Sequence, residues 1–230
     1  MARITDKKSL EDYLYYEEGN PSLKIYLGDC LDILPLLPKV DLVLTDPPYG
    51  MNNNTDSSRF SGGQESSRRR RGDGGRFKEP IIGDDEEFNP EPFLEFENVL
   101  LWGSNHFSKH LPLGTTLVWI KRLDGAFGSF LSDAEIAWMK GGCGVYCFRD
   151  VSMYAEAKNR LHPNQKPITL IKWCIQKQKN TGVVFDPFLG SGTTLVACKE
   201  LNRNGIGIEI EEKYCAIAKR RLQNTTRSLF

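Results

Sequence analysis

GVVFDPFLGSGTT, residues 182–194, is the stretch that decides the fold. Its first half is an apolar run typical of a buried strand, and a helical segment begins after Gly190 and Gly192. Glycine tolerates positive φ and lets the backbone approach a ligand closely. The free N–H groups at the start of the helix, from Thr193 and Thr194, favour a negatively charged group. The stretch therefore predicts a strand, a glycine turn and a helix that form a ligand-binding corner.

The rest of the chain repeats this alternation of strands and helices. The predicted helices cover 30–37, 167–179, 193–202 and 211–223, and the predicted strands cover 23–27, 41–45, 99–105, 116–122, 134–140, 144–150, 182–186 and 204–210. Such alternation predicts an α/β fold whose parallel sheet is covered on both faces. The last two strands of the middle region are expected to be antiparallel at an edge.

Glu209 ends the strand that follows the glycine turn. An acid at this place suits hydrogen bonds to ribose hydroxyls, as in dinucleotide sites. The lysine of a phosphate-binding P-loop is missing, which argues against a nucleoside triphosphate. The alternative is a plain tight turn followed by a solvated strand end. The two features together favour an adenosine-type pocket at the carboxyl ends of parallel strands.

Composition limits the class of protein. The chain has 230 residues, which is enough for one domain with a full core. Its net charge is zero, which argues against a protein that binds polyanions in general. It has no run of eighteen apolar residues and no export signal at its start, so we expect a cytoplasmic protein without a membrane partner. The cysteines are interpreted as reduced core thiols, without a metal site: Cys30, Cys143, Cys147, Cys174, Cys198 and Cys215.

Residues 51–80 interrupt the pattern of strands and helices. They are rich in Gly, Ser, Asn and Arg and contain too few apolar side chains to fold alone. A segment of this length inside a compact domain is usually functional or disordered. Its arginines can form a local basic patch on a neutral protein.

Three motifs in a fixed order now identify a resemblance. TDPPYG at 45–50, HPNQKP at 162–167 and FDPFLGSGTT at 185–194 resemble the S-adenosylmethionine-dependent amino-methyltransferases of DNA. The order resembles the permuted β group, and the middle of the chain resembles phage and prophage adenine methylases. The resemblance implies a single domain over 1–230. It also implies a Rossmann-like methyltransferase fold with circularly permuted motifs and a mostly parallel seven-stranded sheet that has an antiparallel edge strand.

The resemblance assigns the chemistry to Asp46, Pro47, Pro48 and Tyr49. The exocyclic amine of adenine is a poor nucleophile because its lone pair is delocalised into the ring. Asp46 and the carbonyl of Pro47 would accept hydrogen bonds from both amine hydrogens, and successive prolines fix the backbone. Tyr49 would offer a face on which an extruded base can stack. Taken alone, the motif also fits a type I turn with Asp as its cap.

The resemblance also assigns the S-adenosylmethionine pocket. Its predicted residues are Asp29, Cys30, Asn164, Gln165, Lys166, Asp186, Pro187, Phe188, Gly190, Ser191, Gly192, Thr193 and Glu209. Asn164, Gln165 and Lys166 would close over the amino-acid end of the cofactor, and Glu209 would bind its ribose. Asp29 fits equally well as the N-cap of the helix at 30–37. No metal is needed for this reaction.

The predicted partner is double-stranded DNA. A loop at 51–80 would face it, and the predicted phosphate contacts are Arg59, Arg68, Arg69, Arg70, Arg71 and Arg76. A reduced target-recognition region is expected at about 122–161. Family members often dimerise, which implies a homodimer, although the sequence identifies no interface. The predicted activity is adenine-N6 methylation. Cytosine-N4 methylation, methylation of RNA or of a protein amide, and an inactive nucleic-acid-binding subunit remain alternatives.

Overall fold

The computed structural model describes residues 8–51, 82–128, 132–152, 161–162, 165–178 and 182–227. Its strands are β1 (Leu14–Glu18), β2 (Leu23–Leu27), β3 (Leu42–Thr45), β4 (Val99–Trp102), β5 (Gly114–Ile120), β6 (Ala134–Arg149), β7 (Val183–Asp186) and β8 (Asn204–Glu209). Its α-helices are α1 (Cys30–Ile33), α2 (Glu91–Leu94), α3 (Ile168–Lys177), α4 (Thr193–Glu200) and α5 (Glu212–Asn224). Short 3₁₀ turns lie between them. None of the helices in this described part is long and apolar enough to cross a bilayer.

The described strands form one sheet in the order β1-β2-β8-β7-β3-β4-β6-β5. Five neighbouring strands of this sheet are mutually parallel: β2, β8, β7, β3 and β4. By contrast, β1 pairs antiparallel with β2, and β6 pairs antiparallel with β4. The carboxyl ends of the five parallel strands therefore meet at one edge. In open α/β sheets, ligands bind at that edge.

The strand β6 has two halves that run along opposite sides of β5. Residues 134–140 are antiparallel to β5, and residues 145–149 are parallel to it, so that Thr116 of β5 pairs with both Trp138 and Val145. The chain reverses between the halves at Gly141 and Gly142, which have φ values of +83° and +66°. The two predicted strands are thus present, joined by a glycine bend, but the first lies between β4 and β5 and the outer one is parallel to β5, so the expected antiparallel pair at the edge is not formed.

The predicted fold class is confirmed, with eight strands instead of seven. The additional strand, β1, was not predicted because its sequence, LYYEE, lacks a clean alternation of apolar and polar residues. The helix expected at 30–37 ends at Ile33 and continues as a 3₁₀ turn over Leu34–Leu36. Pro35 accounts for the early end because it has no N–H to donate to the preceding turn.

The core lies on both faces of the sheet. On one face Leu42 and Leu44 pack with α3, α4 and α5, and on the other Val43 packs with α1 and α2. All four residues of β3 and all four of β4 are buried. Central parallel strands read as continuous apolar runs because helices cover both of their faces.

The prediction that all six cysteines are core thiols is wrong for two of them. Cys143 and Cys147 are exposed, because they lie on or beside the half of β6 that forms the outer strand of the sheet. The other four cysteines are buried, and burial raises the pKa of the Cys30 thiol to about 12. Within the described ranges, no group of three His, Cys, Asp or Glu side chains is placed to hold a metal ion.

Candidate active site

A cavity of about 460 Å³ opens at the carboxyl edge of the parallel strands. It lies within the size range of small-molecule pockets. Residues predicted from both halves of the sequence line it: Asp29, Cys30, Asp46, Pro47, Pro48, Gln165, Lys166, Asp186, Pro187, Phe188, Gly190, Ser191, Thr193 and Glu209. Folding therefore brings the DPPY stretch and the glycine turn to one cavity although about 140 residues separate them.

Asp46 follows the last residue of β3 and points a mostly buried carboxylate into this region. Its side chain is 16% exposed, and its Oδ2 lies 2.5 Å from Nζ of Lys166. The hydroxyl of Tyr49 donates to the other oxygen, Oδ1. Burial raises the pKa of Asp46, and the charge of Lys166 acts against that rise. The result is a desolvated acceptor with two donors already aimed at it.

Tyr49 is fixed against two residues that follow β4. Its ring stacks on His106 with a centroid distance of 4.7 Å and an interplanar angle of 16°. Gly103 has a φ of +70° and lies directly against the ring. His106 therefore covers one face of the ring that was predicted to receive an extruded base. The sequence showed only that residues 104–106 end a central strand.

Gly103→Ala is expected to displace Tyr49 from Asp46. A Cβ at Gly103 would lie 2.0 Å from Cε1 of Tyr49, and the backbone there is left-handed. Overpacking of this kind costs about 1–3 kcal/mol of the free energy of unfolding. Denaturant titration measures the loss of free energy of unfolding, and quenching of tyrosine fluorescence measures the displacement of Tyr49. Gly125→Ala, with nothing within 4 Å of its Cβ, is the control and should match wild type. A Gly103→Ala protein of unchanged stability would contradict the packing.

The turn after Pro48 is held by Asp84. The backbone N–H groups of Tyr49, Gly50 and Met51 all donate to its Oδ1, at 3.0, 3.1 and 3.4 Å. Asp84 is 5% exposed. The sequence showed it only as the first member of an acidic run. No local pattern reveals this contact, because Asp84 lies 35 residues beyond Tyr49.

Glu209 braces the glycine turn while lining the cavity. Its Oε2 accepts from the N–H of Gly190 at 2.7 Å, and its Oε1 accepts from the N–H of Glu211 at 2.8 Å. Gly190 and Gly192 have φ values of +52° and +84°, as predicted for a left-handed turn. Burial raises the pKa of Glu209. Each carboxylate oxygen has a second lone pair, which leaves acceptor capacity for a ligand.

Asp186 connects three elements around the same turn. Its Oδ1 accepts from the hydroxyl of Thr45 at 2.7 Å and from the N–H of Phe188 at 3.1 Å. Its Oδ2 accepts from the hydroxyl of Thr194 at 2.5 Å. Burial raises the pKa of Asp186 to about 6. This acid therefore ties β3, β7 and α4 together beneath the cavity.

Arg221 is a site residue that sequence reasoning missed. Its Nη1 donates to the carbonyl of Ser191 at 2.7 Å, to the hydroxyl of Ser191 at 3.0 Å and to that of Thr193 at 3.1 Å. It reaches the glycine turn from α5, 30 residues downstream of Ser191. Helical periodicity showed it only as a basic residue late in a helix.

Arg221→Met is expected to weaken binding of S-adenosylmethionine about tenfold. Loss of three charged hydrogen bonds frees the turn that must be preorganised for a ligand, and one such bond is worth about 1.5–3 kcal/mol. Isothermal titration calorimetry measures the change. Arg220→Met, on the exposed neighbouring position, is the control. Equal affinities of the two variants for S-adenosylmethionine would show that the hydrogen bonds from Arg221 to the glycine turn do not shape the pocket.

Asp29 and Cys30 lie at the start of α1. Oδ1 of Asp29 accepts from the N–H of Leu31 at 2.8 Å, so the N-cap alternative is present, and the side chain also lines the cavity. Gln165 accepts from the hydroxyl of Ser191 at 3.3 Å. Asn164 and the six arginines from Arg59 to Arg76 lie outside the described residues.

Lys166 contacts Asp46, in the stretch that was predicted to carry the chemistry, although it was predicted to close over the amino-acid end of the cofactor. Its side chain is 8% exposed and lies 3.0 Å from Oε2 of Glu135 as well as against Asp46. Lys121 contacts the other oxygen of Glu135 at 2.7 Å. We call Lys121, Glu135, Lys166 and Asp46 the charge chain. Sequence reasoning assigned no role to Glu135.

Comparisons with known proteins match parts of this chain to DNA methylases. The family model for DNA methylases of the N6/N4 type matches residues 118–220, which include Glu135, Lys166 and the glycine turn. The type II methyltransferase M.HpaI of Haemophilus parainfluenzae is 46% identical over 72 residues, 31% of this chain and 23% of that protein. YubD of Escherichia coli strain K12, named as a methylase, is 26% identical over 208 residues, 88% of this chain and 91% of that protein.

A solved structure shares the fold. The M1.HpyAVI complex with SAM matches with a TM-score of 0.55 and 22% identity, over 86% of this chain and 99% of that one. The aligned part is short in the type II methyltransferases: this chain spans about a fifth to a quarter of the length of M.HpaI, M.HinfI and M.ScaI.

Proposed function

Because the chain belongs to the N6/N4 family of DNA methylases, we propose that it transfers a methyl group from S-adenosylmethionine to an exocyclic base amine in DNA, with adenine N6 as the target. One observation carries the proposal. Asp46 lines the same cavity as Gly190 and Glu209, at the carboxyl edge of the sheet. An amine acceptor and a nucleoside-binding corner therefore face one space.

The residues present fit S-adenosylmethionine. Glu209 and Asp29 place carboxylates at the ends of β8 and β2, where ribose hydroxyls and the adenine amine need acceptors. The ring of Phe188 adds an apolar wall that packs edge-on against Phe88 and Phe93. When bound, this cofactor supplies an electrophilic methyl carbon on a sulfonium.

The protein's contribution is positioning and electrostatics. Asp46 and the carbonyl of Pro47 accept from the two amine hydrogens, which draws the nitrogen toward tetrahedral geometry and frees its lone pair. These two acceptors would hold the amine nitrogen toward the methyl carbon that the bound cofactor would supply, and the methylated amine would then lose one proton to water. Positive charge passes to the amine during transfer, and the Asp46 carboxylate stabilises it there.

Cytosine-N4 methylation is the second candidate, because either amine fits two acceptors and the matched family includes both types. The test is to incubate the protein with labelled S-adenosylmethionine and unmethylated double-stranded DNA, then digest to nucleosides. Label in N6-methyladenine supports the proposal, and label in N4-methylcytosine supports the second candidate. Label in neither nucleoside rejects both.

We also propose how DNA is engaged. The arginines of the 51–80 segment would contact phosphates, which gives salt-dependent affinity with little sequence information. Residues of about 122–161 would form a reduced target-recognition region within a single domain. Much of that interval is used by β6, which supports a short target or help from a second subunit.

A further inference from the structure

We propose that Glu135 is a positioning residue that draws Lys166 away from Asp46 when the target amine binds. The inference rests on the proposed function and extends it to the charge chain. Glu135 is the second residue of β6, which begins at the edge of the sheet where β4 ends.

The geometry gives Lys166 two carboxylate partners at once. Its Nζ lies 2.5 Å from Oδ2 of Asp46 and 3.0 Å from Oε2 of Glu135. A small rotation of the lysine side chain can therefore lengthen its contact with Asp46 while Glu135 remains its partner. The lysine does not need to leave the protein or become unpaired, which would be costly for a cation that is only 8% exposed.

The occupied state of Asp46 is unsuited to the reaction. Its Oδ2 accepts from Lys166 and its Oδ1 from the Tyr49 hydroxyl, so an amine must share whichever oxygen it binds with a donor that is already in place. An ammonium at Oδ2 also opposes the positive charge that the amine acquires during transfer. Moving Lys166 to Glu135 frees Oδ2 for the amine and lets the Asp46 charge act on it.

Glu135 suits this role because it stays charged. Lys166 and Lys121 lower the pKa of Glu135 to about 2 despite its burial. The charge chain contains two lysines and two carboxylates, so its net charge is zero. Without the charge of Glu135, two cations face a single carboxylate beside the reacting amine. Lys166 would then remain on Asp46.

The test compares five proteins in single-turnover methyl transfer with saturating cofactor: wild type, Glu135→Gln, Glu200→Gln, Lys166→Met and the double variant Glu135→Gln with Lys166→Met. Glu135→Gln is expected to slow transfer about 10–100-fold while the Kd for S-adenosylmethionine stays within about twofold of wild type. Glu200→Gln is the matched control. Glu200 pairs with Lys172 at 3.0 Å and is 30% exposed, against 31% for Glu135, but it lies outside the charge chain. It should transfer at the wild-type rate.

The double variant Glu135→Gln with Lys166→Met separates positioning from a merely structural role. If Glu135 acts through Lys166, its replacement causes no further loss of transfer rate once Lys166 is gone. A Glu135→Gln protein as fast as wild type would overturn the inference, and so would an equal loss in the Lys166→Met background. If the wild-type protein transfers no methyl group to DNA, both the proposed function and the inference are rejected. If the wild-type protein is active but Glu135→Gln is as fast, or loses as much rate in the Lys166→Met background, only the inference is rejected.

Discussion

Asp46→Asn is expected to lose methyl transfer by about 10²–10⁴-fold while binding S-adenosylmethionine almost normally. An asparagine amide retains one acceptor oxygen but carries no charge, so it cannot stabilise the positive charge that develops on the amine. Its NH₂ group also presents two donors where the carboxylate accepted. Asp46 makes no hydrogen bond to the glycine turn among the described residues, which is why cofactor affinity should be spared.

Single-turnover transfer and calorimetric titration with S-adenosylmethionine measure the two parts of this prediction. Asp32→Asn, on the exposed side of α1, is the control for a general effect of removing a carboxylate. Transfer within tenfold of wild type in Asp46→Asn would show that another group accepts from the amine. Loss of cofactor binding would show that Asp46 belongs to the pocket rather than to the chemistry.

Much of the site followed from local sequence. The runs that became β3, β7 and β8 are rich in apolar residues, and each ends in or just before an acid. Because parallel strands deliver their carboxyl ends to one edge, the pocket formed by the glycine turn and Glu209 could be predicted there, whereas the roles of Asp46 and Asp186 were implied by the family resemblance. The glycine turn was equally readable, since positive φ at Gly190 and Gly192 requires residues without a Cβ.

The rest depends on contacts between distant parts of the chain. Asp84, Arg221 and Glu135 each reach the site from an element whose local pattern explains them as ordinary surface charge. Asp84 caps a turn 35 residues upstream, and Arg221 clamps one 30 residues upstream. Glu135 reads as one polar residue in a strand. The roles of these residues depend on contacts with residues that are distant in the sequence, and a single sequence does not reveal those contacts.

Asp186 and Glu209, the two acids with the clearest sequence signatures, also accept hydrogen bonds from other groups of the protein. Asp186 accepts hydrogen bonds from Thr45, Thr194 and the N–H of Phe188, and Glu209 accepts from two backbone N–H groups. An acid at a strand end was predicted as a ligand contact, yet each first organises the turn beside it. The pocket is thus preorganised by the same side chains that face its occupant.

Lys166→Met is expected to move the acid limb of kcat/KM to higher pH by about 1–3 pH units. Transfer requires ionised Asp46. Burial already raises the pKa of this carboxyl, and the adjacent ammonium of Lys166 restrains the rise. Removing that charge raises the pKa further, so a larger fraction of Asp46 is protonated at neutral pH and turnover falls there. Raising the pH restores the carboxylate and with it the rate.

The other ionisable groups around Asp46 reinforce this direction. Glu135 carries negative charge that disfavours a second carboxylate nearby, and Asp186 lies buried within the same region. The pH profile of kcat/KM from about pH 5 to 9 measures the shift. Lys172→Met, which removes a lysine paired with Glu200, should leave the profile in place. An acid limb that stays fixed or moves to lower pH in Lys166→Met would mean that Lys166 does not control the ionisation of Asp46.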